Sequence, residues 1–178
     1  MRLRPNVLVT LYSSHARTRP LPMPRITPDQ AGGINVCAFL DMLAVSEIGK
    51  ALLAKSDDGY NVLVGGNLFV SYADHPNIYN TRFNSTAAGR YQLLHRWWPA
   101  YKGLLRLPVF GPVNQDLVAI QQIHEQGALP DIQAGRFDQA VIKVANIWAS
   151  LPGAGYGQHE NDIGGLRNAY VAAGGSLA

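Results

Sequence analysis

Phe39-Leu40-Asp41-Met42-Leu43-Ala44-Val45-Ser46-Glu47 is a short apolar run that closes on a single carboxylate. Val36, Phe39, Leu40 and Leu43 recur at i, i+3, i+4 and i+7, which predicts a helix with one core-facing stripe. Asn35 is the predicted N-cap, and Gly49 stands where a left-handed residue would end the helix. Glu47 then falls in the last turn, where the partial negative charge of the helix end disfavours an anion. A carboxyl held there and partly withdrawn from water is biased toward its neutral form. It can then act as a general acid near neutral pH. An ordinary solvated glutamate at a helix end has the same sequence signature, so the remaining residues must decide.

The chain has 178 residues, 47% of them hydrophobic, enough for one good core and a single domain over 35–178. The formal charge is +3, but residues 1–35 carry +4 and residues 36–178 carry −1. The basic excess belongs to the leader, so the net charge of the body gives no reason to expect nucleic acid. No apolar run is long enough to span a bilayer. Cys37 is the only cysteine, which excludes an internal disulfide and fits a reducing cytosol. It lies beside the apolar stripe and reads as a packed thiol.

Residues 1–34, rich in Pro, Arg, Ser and Thr, read as a disordered leader. Met1-Arg2-Leu3-Arg4 before Val7-Leu8-Val9-Thr10-Leu11 imitates a signal peptide, but the apolar stretch is too short. After the first helix, residues 60–64 and 68–72 read as two strands of a hairpin turning at Gly65-Gly66-Asn67. A long polar connection, 73–87, precedes helices expected over 89–98, 112–126, 129–134, 137–150 and 161–173. Pro99 should kink or interrupt the first of these. Helices outweigh one hairpin, so the predicted class is α+β, with the sheet on one side.

Candidate chemistries narrow quickly. The histidines are scattered, and His124-Glu125 lacks the second histidine of a His-Glu-x-x-His pair, so no metal site is predicted. Ser46-Glu47 has no nucleophile elbow around it, and neither glycine-rich segment has the lysine of a phosphate loop. One acid, a hairpin and loops bearing aromatics and amides suit sugar binding instead. Tyr72, Tyr91, Gln92, Gln121, Tyr156 and Gln158 are candidates, although packing or a solvated surface explains each of them singly as well. Trp97 and Trp148 read as core residues.

From about residue 36 to 175 the chain resembles the lambda endolysin family of phage and prophage lytic transglycosylases. The matching runs are Phe39–Ala44 with Ser46-Glu47, Val64-Gly65-Gly66, Asp74-His75-Pro76, and Ala88–Leu94 with Arg96-Trp97-Trp98. They continue through Gln121-Gln122-Ile123, Gly127-Ala128-Leu129-Pro130 and Asn146–Gln158. The resemblance implies a lysozyme-like α+β fold, with a substrate cleft between a helical lobe and a small β-hairpin lobe. It implies that Glu47 is the catalytic acid, and that mobile lips lie near residues 77–84 and 152–163. The implied reaction cleaves the β-1,4 bond from N-acetylmuramic acid to N-acetylglucosamine without water, leaving a 1,6-anhydromuramic end.

Such a reaction is consistent with one carboxylate. Ordinary glycosidases need two; here Glu47 can protonate the leaving oxygen and then deprotonate the muramic C6 hydroxyl, which attacks within the same sugar. No cofactor or metal is expected. The expected partner is the peptidoglycan strand, met by a monomer with no stable membrane association. The protein would accumulate in the host cytoplasm and reach the wall through a holin pore. Three positions depart from the family: Ile48 replaces a glycine, Asn61 stands where the lambda-type sequence has an aspartate, and the upper lip is shorter. Asn61 remains a substrate-binding candidate. A water-using muramidase with Asp57 or Asp58 as its second carboxylate, and an inactive glycan-binding protein, are the alternatives.

Overall fold

The computed structural model of the protein describes residues 24–155, 157 and 160–178. Its centre is helix α2 (Ile34–Ile48), in which every residue from Val36 to Ala44 is buried. The expected single stripe is therefore an underestimate. Helices α1 (Pro28–Ala31), α5 (Pro112–Glu125), α6 (Leu129–Gln133) and α8 (Ile163–Ala172) pack against α2 and enclose it. The N-cap is Gly33 rather than Asn35. The Asn35 amide instead accepts from Ser176 N at 2.9 Å and donates to Gln133 O at 3.4 Å, pinning the helix start to two distant segments. Gly49, with φ at +78°, ends α2 as expected, and α3 (Lys50–Leu53) restarts at once.

Residues 24–34, assigned to the leader from composition, pack onto the body. Thr27 and Gln30 form a capping box around α1. Ile26 is buried and its N–H donates to Asp116, while Arg25 N–H donates to the Tyr60 hydroxyl. Residues 1–23 lie outside the described residues.

The aromatic centre of the main core is Phe39, Phe137 and Tyr170, with ring centroids 4.9 to 6.5 Å apart. α7 (Phe137–Val144) supplies Phe137, Ala140, Val141 and Val144, but stops well short of the predicted Ser150. Trp148 is buried, as expected, and its indole N–H donates to Tyr91 O. Trp97, expected in the core, is 50% exposed; its neighbour Trp98 is the buried ring.

The predicted helix over 89–98 is a correction. Gly89 and Gln92 both have positive φ, and the chain folds back so that Ala88 bridges Leu93. Only then do a 3₁₀ turn (His95–Trp97) and α4 (Trp98–Leu104) begin. Pro99 sits in the first turn of α4, so it starts that helix rather than breaking one. A side chain on Gly89 would collide with Gln115 Oε1, which itself accepts the Arg90 N–H at 2.9 Å and holds the turn against α5.

The hairpin is present as a chain reversal without long strands. Gly65 and Gly66 turn with φ near +90°, and Val62 bridges Leu68. Leu63 bridges Ala88 on its other side, so the 62–64 segment sits between two antiparallel neighbours. Pairing stops after Phe69, whose ring turns toward Tyr72 and Phe110 in a second apolar cluster. The next residue, Val70, is 99% exposed. Among the described residues the β component is therefore a set of isolated bridges, and no regular hairpin strand is present.

Candidate active site

Glu47 lies in the last turn of α2, with its residue surface only partly exposed. Burial pushes its carboxyl above the ordinary glutamate range, while the hydroxyl and backbone N–H of Ser150 pull the other way. The Ser150 hydroxyl donates to Oε1 at 2.5 Å. Ser46 Oγ is 2.6 Å from Ser150 Oγ, and the Asn161 amide donates to Ser46 Oγ at 3.0 Å. Asn161 is also tied to Ser150 by its backbone N–H, 2.8 Å from Ser150 O. Ser150 and Asn161, each more than a hundred residues from α2 in sequence, thus close on the turn that carries the acid. Next to Asn161, Glu160 receives the backbone N–H groups of Gly153 and Gly155 at 2.8 and 2.9 Å.

Asp57 and Asp58, the two candidates for a second carboxylate, are engaged elsewhere. Asp57 Oδ1 takes Arg25 at 2.6 Å and Oδ2 takes the Tyr72 hydroxyl at 2.8 Å. Asp58 pairs with Arg25 at 3.4 Å, and its carbonyl accepts from Arg90. Both carboxylates fasten the turn after α3 to neighbouring segments.

Most of the predicted sugar-binding residues have structural partners. Asn61 Oδ1 accepts the Asp57 N–H at 2.9 Å. Tyr72 is half-buried on Asp57. Tyr91 is only 5% exposed, and its hydroxyl donates inward to Asp116 at 2.7 Å. Gln92 holds the 89–93 turn by donating to Gly89 O at 2.8 Å, and Gln121 donates to Glu125 along α5. None of these five is hydrogen-bonded to Glu47. Tyr156 and Gln158 lie outside the described residues. Cys37 is buried as expected, its thiol pushed up to about 11, first by burial and then by Asp41 and Asp116.

The family model for endolysins matches residues 37–177. The endolysin of Escherichia phage lambda is 51% identical over 144 residues, spanning 79% of this chain and 91% of the relative. The endolysin of Escherichia phage P2 is 47% identical over 154 residues, spanning 79% and 93%. The chain belongs to the endolysin family. Its fold is lysozyme-like: the bacteriophage lambda lysozyme solved with a chitohexasaccharide matches at a TM-score of 0.76, covering 79% of this chain and 94% of that one. A second lambda lysozyme structure matches at 0.74, with 47% identity and coverage of 82% and 97%.

Within this endolysin, the sequence points to Glu47 as a candidate but not to the residues that hold it. Ser46 reads from the sequence only as a candidate nucleophile. Ser150 and Asn161 carry no local signal, because their meaning depends on contacts across 103 and 115 residues. The one hint was their position, on either side of the glycine-rich segment 153–157. Ile48, where the resemblance implies glycine, is the last residue of α2, and Gly49 after it takes the positive φ.

Proposed function

We propose that this endolysin is a peptidoglycan lytic transglycosylase in which Glu47 acts first as acid and then as base. Its carboxyl protonates the oxygen linking N-acetylmuramic acid to N-acetylglucosamine, and the C1–O bond breaks with its electron pair passing to the leaving sugar. The resulting carboxylate takes the proton of the muramic C6 hydroxyl as that oxygen closes on C1. The product is a 1,6-anhydromuramic end, and Glu47 is again protonated.

The observation that carries this reading is a single, desolvated carboxyl at a helix end, while Asp57 and Asp58 are each committed to Arg25. An acid held above its ordinary range keeps its proton for the first step. The saccharide in the related lambda lysozyme supports a glycan as ligand. Tyr156 and Gln158 would position that glycan, together with those of Asn61, Tyr72, Gln92 and Gln121 whose exposed atoms reach the cleft. Tyr91 would act from beneath, by supporting the 89–93 turn. No described helix is long and apolar enough to cross a membrane, and the protein would act as a monomer admitted to the wall by a holin.

Glu47→Gln tests the assignment. The variant should bind purified peptidoglycan like the parent while releasing no muropeptides. Release at the parental rate would remove Glu47 from the mechanism.

A further inference from the structure

The hydroxyls around Glu47 have a direction. Ser150 has one proton, and it is given to Glu47 Oε1. The 2.6 Å contact between the two serines must therefore carry the Ser46 proton toward Ser150. Ser46, in turn, accepts from Asn161, whose amide nitrogen can only donate. The order is Asn161 to Ser46 to Ser150 to Glu47, with every proton pointing at the acid. Such a chain polarises along its length and ends on an atom that becomes anionic during the reaction.

We propose that Asn161, Ser46 and Ser150 form a donor relay that reserves Oε1 of Glu47 as a permanent acceptor, so that Oε2 alone exchanges the proton with the glycan. The three are positioning residues; only Glu47 meets the reacting atoms. The proposal rests on Glu47 as the acid and adds which oxygen works and what stabilises its anionic form. In the first half of the reaction the proton leaves Oε2 for the glycosidic oxygen. The relay then holds the carboxylate through Oε1 until Oε2 receives the C6 hydroxyl proton. Because Asn161 follows Glu160, which grips Gly153 and Gly155, the relay also ties the acid to the segment flanking the cleft.

The ionisable groups on the elements meeting Glu47 are otherwise occupied or remote from it. Glu160 is bound to two backbone N–H groups and Asp162 caps α8 through Gly165 N–H. Lys50, on α3, is exposed, and Asp41 and Arg90 pair with each other. Beside burial, the Ser150 hydroxyl and backbone N–H are thus the local levers on proton affinity.

The test is the pH profile of kcat/KM for muropeptide release by the intact protein. Ser150→Ala removes the hydroxyl donor at Oε1 and keeps the backbone N–H of residue 150, so the alkaline limb should move up by about one pH unit, the scale of one hydrogen bond to a charged group. Its kcat should fall roughly tenfold with little change in KM. Ser46→Ala and Asn161→Ala should shift the limb the same way by less, and Ser150→Thr, which keeps the hydroxyl, should restore the parental profile. A Ser150→Ala profile that loses height but keeps its alkaline limb would overturn the relay. Should Ser150→Ala fold poorly, Ser46→Ala carries the same test, and an unmoved limb there overturns the proposal equally. Glu47→Gln separates the two ideas. If it stays active, the acid assignment falls; if it is dead while the Ser150→Ala limb is unmoved, only the relay falls.

Discussion

Arg90 Nη2 and Asp41 Oδ1 are 2.5 Å apart, with the Arg90 side chain fully buried and that of Asp41 only 7% exposed. The pair joins the 89–93 turn to the middle of α2, six residues before the acid. Arg90 also donates to the Asp58 carbonyl, and its own N–H reaches Gln115 on α5. Asp41 Oδ2 and Arg90 Nε are buried without a partner among the described residues, beside a small cavity of about 40 Å³. That space is large enough for a water molecule, which would complete both groups.

Removing one partner leaves the other charge stranded. Arg90→Ala is expected to destabilise the fold by about 3–5 kcal/mol, read as a lower denaturation midpoint. The double replacement Asp41→Leu with Arg90→Met should recover most of that loss, since the desolvation of both charges disappears with them. A double variant no more stable than Arg90→Ala would contradict this account of the pair.

The same physics acts on Glu47. Burial raises its proton affinity in the folded state, so its contribution to stability is fully present below the ordinary carboxylate range and is lost as pH rises through the folded value. Glu47→Gln escapes that loss. The variant should melt above the parent at about pH 8, by roughly 1.4 kcal/mol for each pH unit of elevation, and match it near pH 4. Equal melting temperatures across the range would show that the acid is not held in a desolvated state.

How far the sequence revealed the molecule depended on the range of the interaction. The 3.6-residue period of Val36, Phe39, Leu40 and Leu43, with Gly49 behind it, was enough to place α2 and its terminal acid. The 89–98 segment misled because Tyr91, Leu93 and Leu94 suit a helix, whereas the positive φ at Gln92 comes from the fold-back that Gln115 and Trp148 hold from outside. The inward turn of the Tyr91 hydroxyl was hidden from the sequence for a similar reason. Asp116, a polar residue on the buried face of α5, collects the hydroxyls of Tyr60 and Tyr91 and the N–H of Ile26. A buried carboxylate with three donors from distant segments leaves no periodic signature.

Glu160 offers a separate test of the segment around Gly153 and Gly155. Its carboxylate is held below its ordinary range by the N–H groups of Gly155 and Gly153. A depressed value means that its support is present above the ordinary carboxylate range and disappears as pH falls through the folded value. At neutral pH, Glu160→Ala should abolish hydrogen-exchange protection at the amides of Gly153 and Gly155, and the parent should approach the variant under acid conditions. Unchanged protection in Glu160→Ala would mean that other contacts hold these glycines.

Mass spectrometry of the muropeptides released from purified peptidoglycan tests the one-carboxylate mechanism most directly. The account predicts muramic ends lighter than the reducing sugar by one water, the mark of C6 closing on C1. Fully hydrated reducing ends would contradict it, and would require a water-activating carboxylate that Asp57 and Asp58, bound as they are to Arg25, are not placed to supply.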